Sequence, residues 1–431
     1  MQQLKTKIAE KTATVGIVGM GYVGLSLALD ACREGYNVIG IDIDNEKIET
    51  ISNGVSHINY IDSSYVEEHV KSGRLRAMTD YSAACECDVI CICVPTPLND
   101  DSKPDISFIE TSAKSIAENI TENTLVVLES TTYPGTTEEV LMSTLQGVGF
   151  VVGENVFVAF SPERVDPGNV KFTSANTVKV VGGATSACGE LAEKFYLTVN
   201  KGGVHKVSSP KVAETEKLLE NTFRNVNIAL ANEIAQICDK MGVNVWEVVG
   251  AAATKPYGFM AFYPGPGLGG HCIPIDPYYL TSKAKEYGAS SKLIDVACEI
   301  NRTMPEFCTS KIVKILNDEK IDLKTAKIFA LGAAYKPNVD DVRESPALEI
   351  IKNLVKMGVS VSYNDPFVPK IGEIGLESVK ISEDSLEEAD LVLILTNHSE
   401  YDAEFIAKNS KLVFDTRNLL KDYDCANIVR L

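Results

Sequence analysis

The strongest chemistry in this sequence is one thiol set among glycines and prolines. The run Gly265-Pro-Gly-Leu-Gly-Gly-His-Cys-Ile-Pro-Ile-Asp276-Pro277 is too rich in Gly and Pro for a helix or strand interior, so it must form a shaped loop. Glycines there also let backbone N–H groups approach a ligand closely. Cys272 supplies a nucleophile and Asp276, four residues on, a potential base. A thiol beside a base, on a backbone with open N–H groups, is what covalent catalysis at a carbonyl carbon requires. A glycine-rich turn around a buried structural cysteine has the same local appearance, and the rest of the chain must decide between them.

Such a thiol needs elements that bring a reaction partner to it, and the N-terminus offers them. Val15-Gly-Ile-Val18 predicts a strand, Gly19-Met-Gly21-Tyr-Val-Gly24 a turn, Leu25 to Arg33 a helix, and Asn37-Val-Ile-Gly-Ile41 a second strand ending at Asp42. Strand, Gly-x-Gly-x-x-Gly, helix, strand and acid, in that order, form the dinucleotide-binding fingerprint. Gly19 would make the tight turn, Gly21 admit the pyrophosphate to the helix N-terminus, and Gly24 allow close helix–strand packing. Asp42 would accept from the adenosine ribose, and Asp42 with Asp44 would repel a 2′-phosphate, favouring NAD. Lys47 is either a solvated surface lysine or a group that reaches the adenosine.

Strands and helices then alternate, predicting an open parallel sheet whose ligands sit beyond the carboxyl ends of its strands. Thr96, Ser130, Thr131, Glu163 and Arg164 fall at those ends, where turn and cap chemistry would explain the hydroxyls equally well. Thr136 with Glu139 resembles a capping box opening a helix. Cys85, Cys87, Cys91 and Cys93 could suggest a metal, but Asp88-Val-Ile-Cys-Ile-Cys-Val94 is almost wholly apolar, and cysteine serves there as a small core residue.

Between Pro210 and Met241 lies the longest helical pattern. Leu219, Phe223, Val226, Leu230, Ile234, Ile237 and Met241 recur at threes and fours and predict a buried stripe. A helix of ~30 residues spans roughly 45 Å, which suits a link between lobes and a dimer surface. Lys217 and Asn221 lie one turn apart off that stripe, as a solvated face or as two groups meeting one ligand. After Asn317 a second strand–turn–helix–strand unit follows without the glycine triplet, its turn carrying Lys336, Asp340, Asp341 and Arg343. The fold class expected is α/β: an N-terminal Rossmann NAD domain (1–207), a central helical region with the cysteine loop (208–310) and a C-terminal Rossmann-like domain (311–431).

A chain of 431 residues, 45% apolar and 23% charged, has the composition of a globular protein of two or three domains. Its net charge of −18 argues against nucleic acid or an anionic membrane as a bulk partner. No run approaches the ~18 apolar residues of a membrane span, and no apolar signal region opens the chain. Eleven scattered cysteines fit reduced thiols in a cytoplasmic protein.

Taken together, Gly19–Gly24, Val94-Pro-Thr-Pro97, Ser130-Thr131, Ser161-Pro-Glu163, Lys217 with Asn221, Gly269-Gly-His-Cys272 and Asp341-Val-Arg-Glu-Ser-Pro346 resemble the UDP-glucose/GDP-mannose dehydrogenase family. The cysteine is followed by Pro274-Ile275-Asp276, where many members have Pro-Lys-Asp, so no role attached to that lysine transfers. The loop is more similar to the branch acting on N-acetylated sugars. The resemblance implies a UDP-N-acetylhexosamine substrate, UDP-N-acetylglucosamine first and UDP-N-acetylmannosamine, UDP-N-acetylgalactosamine or UDP-glucose as alternatives, oxidised twice at C6 by NAD through a Cys272 thiohemiacetal and thioester. The readings of another class are a two-electron hydroxy-acid dehydrogenase and a non-catalytic nucleotide-sugar sensor. It implies NAD contacts at Gly19, Gly21, Tyr22, Val23, Gly24, Asp42, Lys47, Thr96, Thr131 and Arg343. Substrate contacts are implied at Glu163, Arg164, Val165, Lys217, Asn221, Tyr263, Gly265, Gly267 and Lys336. Lys217 and Asn221 would stabilise the oxyanion, Asp276 act as base with Lys217, and Glu163 with Thr131 position the hydrolytic water. His271 fits loop shaping better than catalysis. No metal is implied, and a homodimer or higher homo-oligomer through the long helix is.

Overall fold

Short apolar runs bounded by turn residues build the first sheet. Its strands are β1 (Thr14–Val18), β2 (Asn37–Ile41), β3 (Leu75–Met78), β4 (Val89–Ile92), β5 (Thr124–Leu128), β6 (Val156–Phe160), β7 (Lys179–Gly183) and β8 (Val204–Val207). They lie in the order β3-β2-β1-β4-β5-β6-β7-β8. β1 to β6 pair in parallel, and every residue of β4, β5 and β6 is buried, as expected of strands covered on both faces. β7 runs antiparallel to β6 and β8 parallel to β7. Leu25, Ala28, Leu191 and Phe195 belong to the core on one face, and Ile109, Ala113, Ile116 and Leu141 to the core on the other. The order reverses between β1 and β4, so the crevice for a ligand lies at their carboxyl ends.

The computed structural model describes all residues except Tyr60, 100–103, 165–170, Ala175 and His271. Contacts divide the chain into two units, Met1–Glu220 with Tyr278–Ala289, and Asn221–Pro277 with Ser290–Leu431. The second unit contains β9 (Lys327–Leu331), β10 (Ser360–Asn364), a small ribbon of β11 (Lys370–Ile371) and β12 (Leu376–Glu377), and then β13 (Leu391–Ile394), β14 (Val413–Asp415) and β15 (Ile428–Arg430). The main sheet is parallel throughout, in the order β10-β9-β13-β14-β15. The helices Pro346–Lys356 and Lys292–Asp318 contribute Ile350, Ile351, Cys308 and Ile312 to the core with β9 and β13. The α/β reading of both lobes therefore holds. No described helix is long and apolar enough to cross a membrane.

Three local expectations meet the structure differently. Cys87 and Cys91 are buried, in keeping with core residues, whereas Cys85 is exposed and Cys93 part-buried. The helix Pro210–Met241 forms as expected, but the stripe expected to be buried is not. Leu219 is 62% exposed, Phe223 47%, Leu230 55%, Ile237 47% and Met241 68%. The buried face instead carries Ala213, Lys217, Asn221, Asn225, Ala229 and Asn232. Periodicity identifies a face that avoids water without saying that the same chain covers it.

The capping box is also corrected. Thr136 donates its hydroxyl to the Tyr133 carbonyl at 2.9 Å, and Glu139 accepts from Lys283 Nζ at 2.9 Å through each oxygen. The free N–H groups there go to Glu214 of the long helix, which accepts from Gly135 N, Thr137 N and Thr137 Oγ1. A fully buried carboxylate with three donors does from a distance what the local residues were expected to do.

Candidate active site

In the first unit the carboxyl edge of the sheet gathers most of the residues singled out. Gly19 turns the chain after β1 with φ +88°, and a Cβ at Gly24 would lie 1.9 Å from Gly19 O, so the helix Tyr22–Glu34 packs closer than any side chain would allow. A Cβ at Gly21 would meet nothing within 4 Å. That open space at a helix N-terminus is a cradle suited to a pyrophosphate. Asp42, buried at the end of β2, accepts from Met20 N at 2.7 Å, Asp44 N at 3.0 Å and Lys47 Nζ at 2.8 Å. Lys47 is thus paired with Asp42 rather than freely solvated. Asp44 caps the helix Asn45–Ser52 through Glu46 N and Lys47 N, so its carboxylate is held by the helix start. These residues fit NAD.

Further along the edge, Ser130 is buried and donates its hydroxyl to Val94 O at 2.7 Å, a tie between strand ends. Thr131 is part-exposed beside it, and the carbonyls of Thr96 and Pro97 accept from Tyr279 O–H. Glu163 accepts from Arg164 N at 2.8 Å and from Lys179 Nζ at 2.9 Å. Lys179 also reaches Glu129 at 2.7 Å. Burial opposes its charge, but the two carboxylates prevail and hold the ammonium well above its ordinary pKa. Arg164 donates to Glu220 and to Val178 O. Burial and the neighbouring Glu220 push Glu216 up to about 7.

Lys217 is the most telling cation. Its residue is only 7% exposed, and its charge acts on Glu216 and Glu220 of the same helix, pulling the carboxyl pKa of each downward. A buried charge is normally paired, so the solvated-face alternative fails for it.

The second unit holds the thiol. Cys272 is a part-buried thiol outside any disulfide, and its carbonyl accepts from Ile275 N at 3.1 Å and Asp276 N at 2.8 Å, which folds Asp276 back over one turn. Asp276 is 3% exposed and accepts from Asn221 Nδ2. Further along the helix, Asn225 Nδ2 donates to Ile273 O at 3.1 Å, and Asn232 Oδ1 accepts from Gly265 N at 3.0 Å. Asn301 joins them, accepting from Asn232 Nδ2 and donating to Asn225 O. One helix face therefore grips the loop at both ends. Sequence reasoning passed over Asn225 and Asn232; asparagines in a row on a helix face, where they are poor helix formers, were the available signal.

The remaining residues sit as follows. A Cβ at Gly265 would lie 2.6 Å from Arg417 Nη1, and one at Gly267 2.9 Å from Pro346 Cβ, so both glycines allow tight packing of the loop. Burial lowers the Arg417 guanidinium to about 10. Tyr263 is half-exposed and stacks on Trp246 with ring centres 5.9 Å apart. Arg343 pairs with Asp341 at 2.7 Å, and Lys336 Nζ lies 5.8 Å from the Tyr335 ring centre. Val165 and His271 fall outside the described residues.

Three family models match the chain in succession: the NAD binding domain of the UDP-glucose/GDP-mannose dehydrogenase family over residues 13–200, its central domain over 211–303 and its UDP binding domain over 329–422. The chain is 39% identical over 419 residues to the UDP-N-acetyl-D-mannosamine dehydrogenase of Pyrococcus horikoshii, covering 95% of this chain and 96% of that protein. It is 36% identical over 420 residues to the NDP-N-acetyl-D-galactosaminuronic acid dehydrogenase of Ralstonia nicotianae, covering 94% and 96%. The solved structure of the Pyrococcus horikoshii UDP-D-ManNAc dehydrogenase superposes with a TM-score of 0.88 at 35% identity, over 97% of this chain and 98% of that one. With an NAD cradle and a UDP-binding lobe in one chain, the protein belongs to the UDP-glucose/GDP-mannose dehydrogenase family of NAD-dependent nucleotide-sugar dehydrogenases.

Proposed function

We propose that this enzyme oxidises the C6 hydroxyl of a UDP-N-acetylhexosamine to the uronic acid in a four-electron reaction with a covalent stage on Cys272. The observation that carries the reading is Lys217, a buried residue whose charge acts on Glu216 and Glu220 of its own helix. It lies one helical turn before Asn221, whose amide holds the Asp276 carboxylate four residues from the thiol. The loop text by itself suggested N-acetylglucosamine, but the names of the relatives favour N-acetylmannosamine, with N-acetylgalactosamine second.

NAD, when bound, accepts a hydride in each of the two oxidations. At the aldehyde stage the Cys272 sulfur bonds to C6, Asp276 takes the thiol proton, and Lys217 with the second Asn221 N–H opposes charge on the oxygen. After the second oxidation C6 is a thioester. Water, oriented by Glu163 and Thr131, then bonds to that carbon, the C–S bond breaks and the thiolate leaves. Lys336, with Tyr263, Gly265, Gly267, Arg164 and Val165, would contact the nucleotide sugar, and Arg343 the cofactor. The exposed stripe of the long helix supports a second copy of the chain as its cover.

NADH production measured across UDP-N-acetylmannosamine, UDP-N-acetylgalactosamine, UDP-N-acetylglucosamine and UDP-glucose tests the reading. The expected order of kcat/KM places the mannosamine substrate first and UDP-glucose last. UDP-glucose turning over faster than every N-acetylated sugar would overturn the substrate assignment.

A further inference from the structure

The reversed direction of β7 brings its first residue, Lys179, to the edge where β5 and β6 end. There the ammonium lies between two carboxylates, 2.7 Å from Glu129 Oε2 and 2.9 Å from Glu163 Oε2. The two partners differ in access. Glu129 is 1% exposed, and its other oxygen accepts from Tyr196 O–H. The Tyr196 ring centre is 5.3 Å from the same ammonium. The Glu163 side chain keeps 15% of its surface exposed. A buried ammonium needs one carboxylate to offset its desolvation. Glu129 meets that need, so the second carboxylate, the one open to the outside, is held for another purpose.

We propose that Lys179, anchored by Glu129 and Tyr196, is the positioning residue that fixes the Glu163 carboxylate and keeps it ionised to take a proton from the hydrolytic water. This rests on the role given to Glu163 above. The step balances without any redox partner: the water oxygen bonds to the thioester carbon, its proton passes to Glu163, and the C–S electron pair leaves with the Cys272 sulfur. The cluster of one ammonium and two carboxylates goes from a net charge of −1 to neutral as it accepts that proton. Among the described residues, the other charged or titratable groups that act with Glu163 include Asp30, Cys93, Glu129 and Arg164. Arg164 is committed to Glu220 and Val178 O, whereas Lys179 Nζ bonds the Glu163 carboxylate directly at 2.9 Å.

An opposite charge at this range lowers a carboxyl pKa by about 1–3 units, so the test is the pH dependence of thioester breakdown. Acid-quenched turnover is followed by intact-protein mass spectrometry, which reads the acyl adduct directly. Lys179→Met alone would strand Glu129 as a buried unpaired charge, so the double variant Lys179→Met/Glu129→Gln is used. Its acidic limb should move up, by less than the full ~1–3 units because removing the Glu129 charge offsets part of the loss, with adduct accumulating at neutral pH and cleared at higher pH. Glu129→Gln alone leaves Glu163 as the only carboxylate on Lys179 and should move the limb down. Glu163→Gln should accumulate adduct at every pH. An unchanged limb in the double variant or in Glu129→Gln, with adduct still trapped by Glu163→Gln, overturns the role of Lys179 alone. If the double variant does not fold, Glu129→Gln decides. Absence of adduct in Glu163→Gln overturns the underlying role of Glu163 instead.

Discussion

Adding one methyl group at Gly21 and at Gly24 should separate cofactor binding from folding. At Gly24 the new Cβ would meet Gly19 O at 1.9 Å, Gly19 C at 3.0 Å and Ile17 Cγ2 at 3.1 Å. Backbone on one side and core on the other leave nothing that can yield, so Gly24→Ala should cost at least the ~1–3 kcal/mol of an overpacked core. At Gly21 φ is −72°, which alanine adopts freely, and the Cβ would enter open space. Alanine is a clearly poorer N-cap than glycine, but it restrains the unfolded chain by a comparable ~0.4–1 kcal/mol, so stability should stay within about 0.5 kcal/mol of wild type. The methyl then obstructs only the pyrophosphate. Loss of one charge-assisted backbone hydrogen bond, ~1.5–3 kcal/mol, weakens NAD binding by roughly 10- to 150-fold. Urea melts and equilibrium NAD titrations of both variants read the two effects separately. If Gly21→Ala melts as early as Gly24→Ala, or binds NAD like wild type, the cradle has been placed wrongly.

The exposed stripe predicts that Leu230→Glu or Phe223→Glu lowers the molar mass seen by light scattering, since a charge there would oppose burial by a second copy; an unchanged mass would return the stripe to solvent. Lys217→Met should lower kcat by roughly 10²–10³ while leaving the melting temperature nearly unchanged or raising it, because a cation on a buried residue that makes no short ion pair among the described residues is replaced by an apolar group of similar length. Activity within a factor of about three of wild type would remove Lys217 from the site. For Glu216, a folded-state pKa of about 7 against the ordinary 4.5 means that the native carboxyl keeps a proton the unfolded one has lost, so stability falls as pH rises across that window. Glu216→Gln should flatten that part of the stability profile, and an unchanged slope between pH 4.5 and 7 would refute the cause given.

What was legible in the sequence was what is contiguous in it. Gly19, Gly21, Gly24 and Asp42 belong to one strand–turn–helix–strand unit, so their spacing already carries their geometry. Cys272 and Asp276 share one loop for the same reason. The stripe from Leu219 to Met241 was misplaced because an apolar period is the same whether its cover is the rest of the chain or another molecule. Glu214 was missed as the clasp of the Gly135–Thr137 turn because the two lie 79 and 77 residues apart in sequence. Lys179 gave no sign of its partners: nothing in Thr177–Val181 says that this strand runs against its neighbour, and that reversal is what brings the lysine to Glu163. Contacts made by strand direction or by distant side chains leave no local period to find.

The central claim is a covalent stage on Cys272, and the most direct measurement is the NADH yield per molecule of limiting UDP-N-acetylmannosamine, for wild type and for Cys272→Ser. The account predicts two NADH per sugar and one uronic acid from the wild type. The variant should fail to complete both oxidations, because a serine hydroxyl is the poorer nucleophile and any ester it forms breaks down slowly. Two NADH per sugar from Cys272→Ser at the wild-type rate, or a single NADH from the wild type, would contradict it.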